Sequence, residues 1–334
     1  MEPVSEKQFQ ATTGGGVPDP EPIDDGLWSV PMPMPSGSLA YTLSAVHVDA
    51  AGAVTVLDPG WHSDAAMDRL DAFLSTLGRT IRDIVSIVVT HGHPDHIGLA
   101  GALRAASGAA LFLSGAERDS LAAAAPADPA ARLAGWGVPP AIATGLAERM
   151  AARDRRPVPP VPPDVVLEDG DRIPVGDAGW RALSTPGHTP GHVCVVDEER
   201  RVLFSGDHVL PAQFPGLGLG AVGHGDPVAD YLRSLERLRP YDGFEVSPGH
   251  GYRFRGLGAR REATTAHVLR RAREVAAIVG AEPAASTWEV ASRLTWTSGW
   301  ERLSESLAVF SALHQTDLYR AFAARTDGSD VEVR

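Results

Sequence analysis

Thr90-His91-Gly92-His93-Pro94-Asp95-His96 packs four metal-competent side chains into six consecutive positions. The run before it, residues 84–89, is apolar and largely β-branched, the pattern of a buried strand. Residues 97–106 behind it have the small, apolar composition of a helix. The cluster therefore belongs on a strand-to-helix loop at the carboxyl end of a strand, where open α/β sheets keep their chemistry. Imidazole and carboxylate are zinc ligands, and Pro94 is expected to keep the loop from continuing as helix.

Single ligand-type residues recur along the chain. Asp58 lies in Val56-Leu57-Asp58-Pro59-Gly60, and His188 in Thr185-Pro186-Gly187-His188-Thr189. Asp207 lies in Phe204-Ser205-Gly206-Asp207-His208, and His250 in Ser247-Pro248-Gly249-His250-Gly251. Three of these share one grammar: a short apolar run, small residues or a glycine turn, then one ligand-type side chain. In order, an early Asp, HxHxDH, a His, an Asp and a final His resemble the metallo-β-lactamase-fold hydrolase superfamily, across residues 27–255.

The resemblance implies an α/β fold, a four-layer αβ/βα sandwich. Seven ligand positions exceed the four donors, any water included, of one tetrahedral zinc. By resemblance two divalent ions, Zn2+ first among the candidates, are expected. One would sit on His91, His93 and His188, the other on Asp95, His96 and His250, with Asp207 bridging both. Asp58 is implied to be a hydrogen-bond acceptor behind the ligands, and Asp58, Asp95 and Asp207 form the expected catalytic set. Two metals about 3.5–4 Å apart would hold a hydroxide for attack on a carbonyl or phosphoryl centre. The leading reading is ester or thioester hydrolysis of a small-molecule or carrier-bound acyl substrate, as in acyl-thioester and glyoxalase-II-like relatives. Three alternatives stay open: endoribonuclease-type phosphodiester cleavage, a mononuclear iron enzyme of persulfide-dioxygenase type, and a metal-stabilised scaffold without catalysis.

The rest of the chain supplies context. Its 334 residues, 43% hydrophobic, suffice for one large domain and a small one. A net charge of −12 disfavours nucleic acid or an anionic membrane as the main partner. The single cysteine, Cys194, excludes an internal disulfide and reads as a small core residue in a strand. With no apolar run fit to span a bilayer and no signal-like N-terminus, the expected location is cytoplasmic. Residues 1–25, rich in Pro, Gly and acidic side chains, are expected as a mobile arm. A catalytic domain over 26–255 follows, carrying an Ala- and Arg-rich helical insert at 115–160 that is either a lid over the metals or an ordinary packing unit. The glycine-rich stretch 211–227 is expected as a pocket wall offering Gln213, Phe214 and His224 to substrate. Residues 256–334 read as helices, then a hairpin across 318–334. They resemble the winged-helix-like domain of the lactamase-like protein 2 branch of the superfamily. Arg253, Arg255, Arg260 and Arg261 are expected as a solvated helix face, or as an RNA contact under the alternative reading.

Overall fold

The computed structural model describes residues 1–35, 39–123, 128–151, 161–176, 179–220, 225–297 and 299–325. Two seven-stranded sheets form its centre. The first runs in the order Glu21–Asp24, Leu27–Pro33, Tyr41–Val48, Val54–Leu57, Ile84–Val88, Ala110–Ser114, Val165–Leu167. Its last four strands are parallel. Parallel strands are covered on both faces and so read as unbroken apolar runs, and all of Val54–Leu57 is buried. The second sheet runs Glu2–Pro3, Phe254–Arg255, Glu245–Pro248, Val202–Gly206, Val193–Asp197, Trp180–Ser184, Arg172–Ile173. There Val202–Gly206 and Glu245–Pro248 are the parallel pair.

Three apolar layers hold the sheets and helices together. Between the sheets, Leu57, Val88 and Phe112 meet Trp180, Val195 and Phe204. Outside the first sheet, Leu70 and Leu74 of the helix Asp64–Thr76 and Leu103 of Ala100–Ser107 pack on Val56 and Ile87. Outside the second, Tyr231 and Leu235 of Pro227–Arg237 and Val268 and Val275 of Leu257–Ala281 cover Leu203 and Val246. The result is the expected helix–sheet–sheet–helix stack, with a helical C-terminal region sharing the outer core of the second sheet.

Several expectations are corrected. Residues 1–25 carry order: Glu2–Pro3 pairs with Phe254–Arg255, and Glu6–Gly14 is a helix capped by Ser5. Gln8, fully buried, explains why, since its amide donates to Ser29 Oγ (3.0 Å) and accepts from the Arg253 N–H (3.0 Å). Pro94 opens the short helix Pro94–Ile97 instead of preventing one, because the first helical position has no use for the missing N–H. The expected strand from Leu318 is instead the end of the helix Val309–Arg325, whose Tyr319 and Phe322 are buried; the remainder of that hairpin, 326–334, lies outside the described residues. The arginines form no open basic face. Arg253 pairs with Glu245 (2.8 Å), Arg261 with Asp242 and Glu236, and Arg260 donates to the Leu210 carbonyl, all three buried, while Arg255 is exposed. Within the insert, Leu133, Trp136 and Leu146 pack against Ala291, Val309 and Leu313 of the C-terminal helices.

Candidate metal centre

Each chemical side chain leaves the end of a strand. Asp58 follows Val54–Leu57, the HxHxDH loop follows Ile84–Val88, and His188 follows Trp180–Ser184. Asp207 follows Val202–Gly206, and His250 follows Glu245–Pro248. The parallel pairing in each sheet brings the strand ends to one edge of the sandwich. Hydrogen bonds stitch that edge across the sheets, from Val193 N to Thr90 O (2.9 Å) and from Leu43 N to Gly249 O (2.7 Å). Gly249 is required by close approach, because a Cβ there would stand 2.6 Å from both Asp207 Oδ1 and His96 Cε1.

The seven ligand candidates converge as two sets, His91–His93–His188–Asp207 and Asp95–His96–His250. His93 Nδ1 lies 2.9 Å from His91 Nε2 and 3.2 Å from His188 Nε2. In the other set, Asp95 Oδ2 is 3.1 Å from His250 Nε2 and 3.9 Å from His96 Nε2. Asp207 reaches both: Oδ2 is 3.6 Å from His188 Nε2, while Oδ1 is 3.4 Å from His96 Nε2 and 3.5 Å from His250 Nε2.

The far sides of the rings fix which nitrogen faces inward. His188 Nδ1 lies 2.7 Å from the Gly216 carbonyl, His250 Nδ1 3.0 Å from the Tyr41 carbonyl, and His96 Nδ1 2.8 Å from Asp58 Oδ2. Carbonyl and carboxylate oxygens only accept, so these Nδ1 atoms carry the protons and each Nε2 lone pair points into the cluster. Asp58 also accepts from the Thr90 N–H (2.8 Å) and hydroxyl (2.7 Å), from a left-handed backbone (φ 50°).

Electrostatics prepares the same chemistry. Burial holds the His91 imidazole well below its ordinary range, and neighbouring His96, His93 and His188 push it further down. His93 is lowered to about 3, by burial and then by His188. His96 goes the other way: burial opposes its charge, but Asp58, Asp207 and Asp95 together raise it well above the ordinary value. Burial likewise opposes ionisation of Asp207, yet His250 and His96 hold its carboxyl well below the usual range. His91, His93 and His188, all lowered, are neutral donors beside the ionised Asp207, while the raised His96 lies among three carboxylates that a metal cation would serve in place of its proton. The donor set fits one: His96 Nε2 and Asp207 Oδ1 are buried without a hydrogen-bond partner, a state that costs about 1–3 kcal/mol per group unless something coordinates it. The cluster is therefore suited to divalent metal.

The sequence profile described as the metallo-beta-lactamase superfamily matches residues 43–250. The chain belongs to that superfamily. It is 35% identical to the acyl-coenzyme A thioesterase MBLAC2 of Gallus gallus, over 35% of this chain and 44% of that protein. To a hydroxyacylglutathione hydrolase of Methylococcus capsulatus it is 29% identical, over 58% of this chain and 55% of the relative. The chain thus spans about half the length of these two relatives. Among solved structures, a metallo-beta-lactamase family protein from Thermus thermophilus superposes with a TM-score of 0.72 at 28% identity, covering 91% of this chain and 94% of the other. The protein is a metallo-hydrolase of this superfamily.

The other site expectations divide. Gln213 lines a cavity that also contains His250. Phe214 does not share that cavity; its ring stacks on His267 (4.0 Å, 9°) with the Arg260 guanidinium on it (4.4 Å). His224 lies outside the described residues. Sequence reading missed Glu117, at the start of the insert, whose buried carboxylate accepts from Gly92 N (2.7 Å) and Gly191 N (2.8 Å) and so ties the HxHxDH loop to the His188 loop. It also missed His192, whose Nε2 meets the Asp207 N–H (3.2 Å) and whose ring lies 5.1 Å from that of His91. Both roles depend on contacts between residues far apart in the chain. The Gly191-His192 pair beside the His188 motif was the available signal for His192.

Proposed function

We propose that this chain hydrolyses acyl thioesters with two zinc ions. The observation that carries the proposal is the Asp207 carboxylate, whose two oxygens face two separate ligand sets. Under this reading His91, His93 and His188 hold one ion, Asp95, His96 and His250 the other, and Asp207 spans them. A metal pair of this kind supplies Lewis acidity that polarises an acyl carbonyl and acidifies a water. Imidazole donors suit zinc as they do iron, copper and nickel, and four-coordinate zinc takes histidine and carboxylate ligands of this kind. The chain's own contribution is to hold these donors in one tautomer and one geometry, through Asp58 and through the Gly216 and Tyr41 carbonyls.

In the net reaction water adds its oxygen to the acyl carbon and the C–S bond breaks, leaving a carboxylate and a thiol without oxidation or reduction. Neither Cys194 nor Ser205 is set up as a nucleophile. Burial pushes the Cys194 thiol up to about 12, and the Ser205 hydroxyl donates to the Val209 carbonyl (2.8 Å). The similarity to a named acyl-coenzyme A thioesterase supports the substrate class. Phosphodiester cleavage receives less support, since Arg253, Arg260 and Arg261 are buried on partners within the chain.

The test compares an acyl thioester with a phosphodiester of similar size, each with metal-loaded and metal-free protein. Metal-dependent release of thiol, at a rate well above phosphodiester cleavage, is expected. Preferential phosphodiester cleavage would overturn the proposal.

A further inference from the structure

A cavity of about 290 Å³ opens beside the Asp95–His96–His250 set, with His250 in its lining. The segment after Asp207 lines it through Leu210 and Ala212, and the N-terminal helix lines it through Ala11 and Thr12. No carboxylate, ammonium or guanidinium group is among the lining residues. Its hydroxyls are spent: Thr12 donates to the Gln8 carbonyl (2.9 Å) and Tyr41 to the Gly251 carbonyl (2.8 Å). What the walls present is carbon together with the Gln213 side-chain amide and the ring of His250, one of the ligand candidates.

The helical wall is built in. Gln8 ties it to Ser29 of the first sheet and to Arg253, which leads into the strand Phe254–Arg255 of the second. Val4 N donates to Arg253 O (2.8 Å), and Ser5 both caps the helix and bonds to Glu21. A wall fixed to both sheets keeps its shape when an apolar group leaves water for the cavity.

We propose that this cavity is the acyl-chain site, that its occupant is a linear apolar acyl group, and that Ala11 and Thr12 set the chain length accepted. The proposal rests on the thioester reading above and deepens it. The volume lies at the low end for ligand pockets, which begin at about 300 Å³, so it takes one portion of a substrate and not a whole cofactor-sized molecule. Walls without a charged side chain offer an anion no ion-pair partner, so an apolar chain is the better occupant. Because His250 both lines the cavity and belongs to the cluster, an acyl chain held here lies beside the ligand set.

The test uses the full chain loaded with zinc. Acetyl, hexanoyl and decanoyl thioesters of N-acetylcysteamine are compared on the unaltered protein and on Ala11→Phe, which fills the cavity from the helical side. Ala212→Phe fills it from the segment after Asp207 and guards against a folding defect in one variant. S-decyl-N-acetylcysteamine, a thioether that cannot be hydrolysed, measures binding independently of turnover. The decanoyl-to-acetyl ratio of kcat/KM should fall about tenfold or more in both variants, as expected when several methylenes lose their pocket, and thioether binding should weaken alongside. An unchanged ratio with thioester hydrolysis intact overturns the acyl-chain site and leaves the thioesterase reading standing. Thioether binding lost in both variants, in a protein that hydrolyses no thioester, supports an apolar-chain site and overturns the reading it was built on. Absence of both binding and hydrolysis overturns both.

Discussion

Asp58→Asn tests how the site is held. The carboxylate is buried and accepts three hydrogen bonds, from Thr90 N (2.8 Å), Thr90 Oγ1 (2.7 Å) and His96 Nδ1 (2.8 Å). Asparagine keeps the shape and tolerates the left-handed backbone at this position, so the change isolates the acceptors. Only one edge of the amide accepts. If its oxygen faces Thr90 N, the NH2 faces His96 and forces that ring to accept at Nδ1, which moves its proton to the Nε2 that points at the second metal set. If the amide turns round, its NH2 meets the Thr90 N–H and one buried donor goes unpaired. A hydrogen bond to a charged group is worth about 1.5–3 kcal/mol net, and each tenfold in affinity is about 1.4 kcal/mol. Metal affinity at the Asp95–His96–His250 set should therefore fall about 10- to 100-fold, with the His91–His93–His188 set much less affected. Competition against a chromophoric chelator resolves the two binding steps. Two unchanged steps, with the fold intact by circular dichroism, would refute the role given to Asp58.

Asp207→Asn removes a negative charge from between the two sets, so at least one metal should be lost on gel filtration and turnover should drop to near background; elemental analysis with a thioester assay checks both. Leu133, fully buried where the insert meets the C-terminal helices, should cost about 2–5 kcal/mol when changed to Ala. Urea unfolding measures that loss, and the folded variant should keep its metal content, because this cluster contains none of the ligand candidates.

The sandwich was legible because its strands carry strong local signals. Residues 84–89 are apolar and β-branched except for Ser86, and 54–57 lead directly into Asp58. The ligand candidates stood out because four of them share the loop after residues 84–89, and the ordered Asp, His and Asp motifs around it resemble those of a known superfamily. What sequence hid was long-range. Nothing local marks Gln8 as a buried bridge between Ser29 and Arg253, so a Pro- and Gly-rich N-terminus read as an arm. Arg260 and Arg261 sit on a helix with charged neighbours, and only the fold reveals Leu210, Asp242 and Glu236 waiting for them. The expected strand from Leu318 failed for the same reason: Tyr319 and Phe322 suit a strand but are buried here at helical spacing. Phe214 looked like a free aromatic because His267 and Arg260 lie some fifty residues away in sequence.

The most direct test of the central claim is a titration of metal-free protein with zinc, following hydrolysis of an acyl thioester at each addition. Two ligand sets joined by Asp207 predict that activity is absent without metal and reaches its plateau only as the second equivalent binds. Full activity at one equivalent, or hydrolysis that persists without metal, would contradict it.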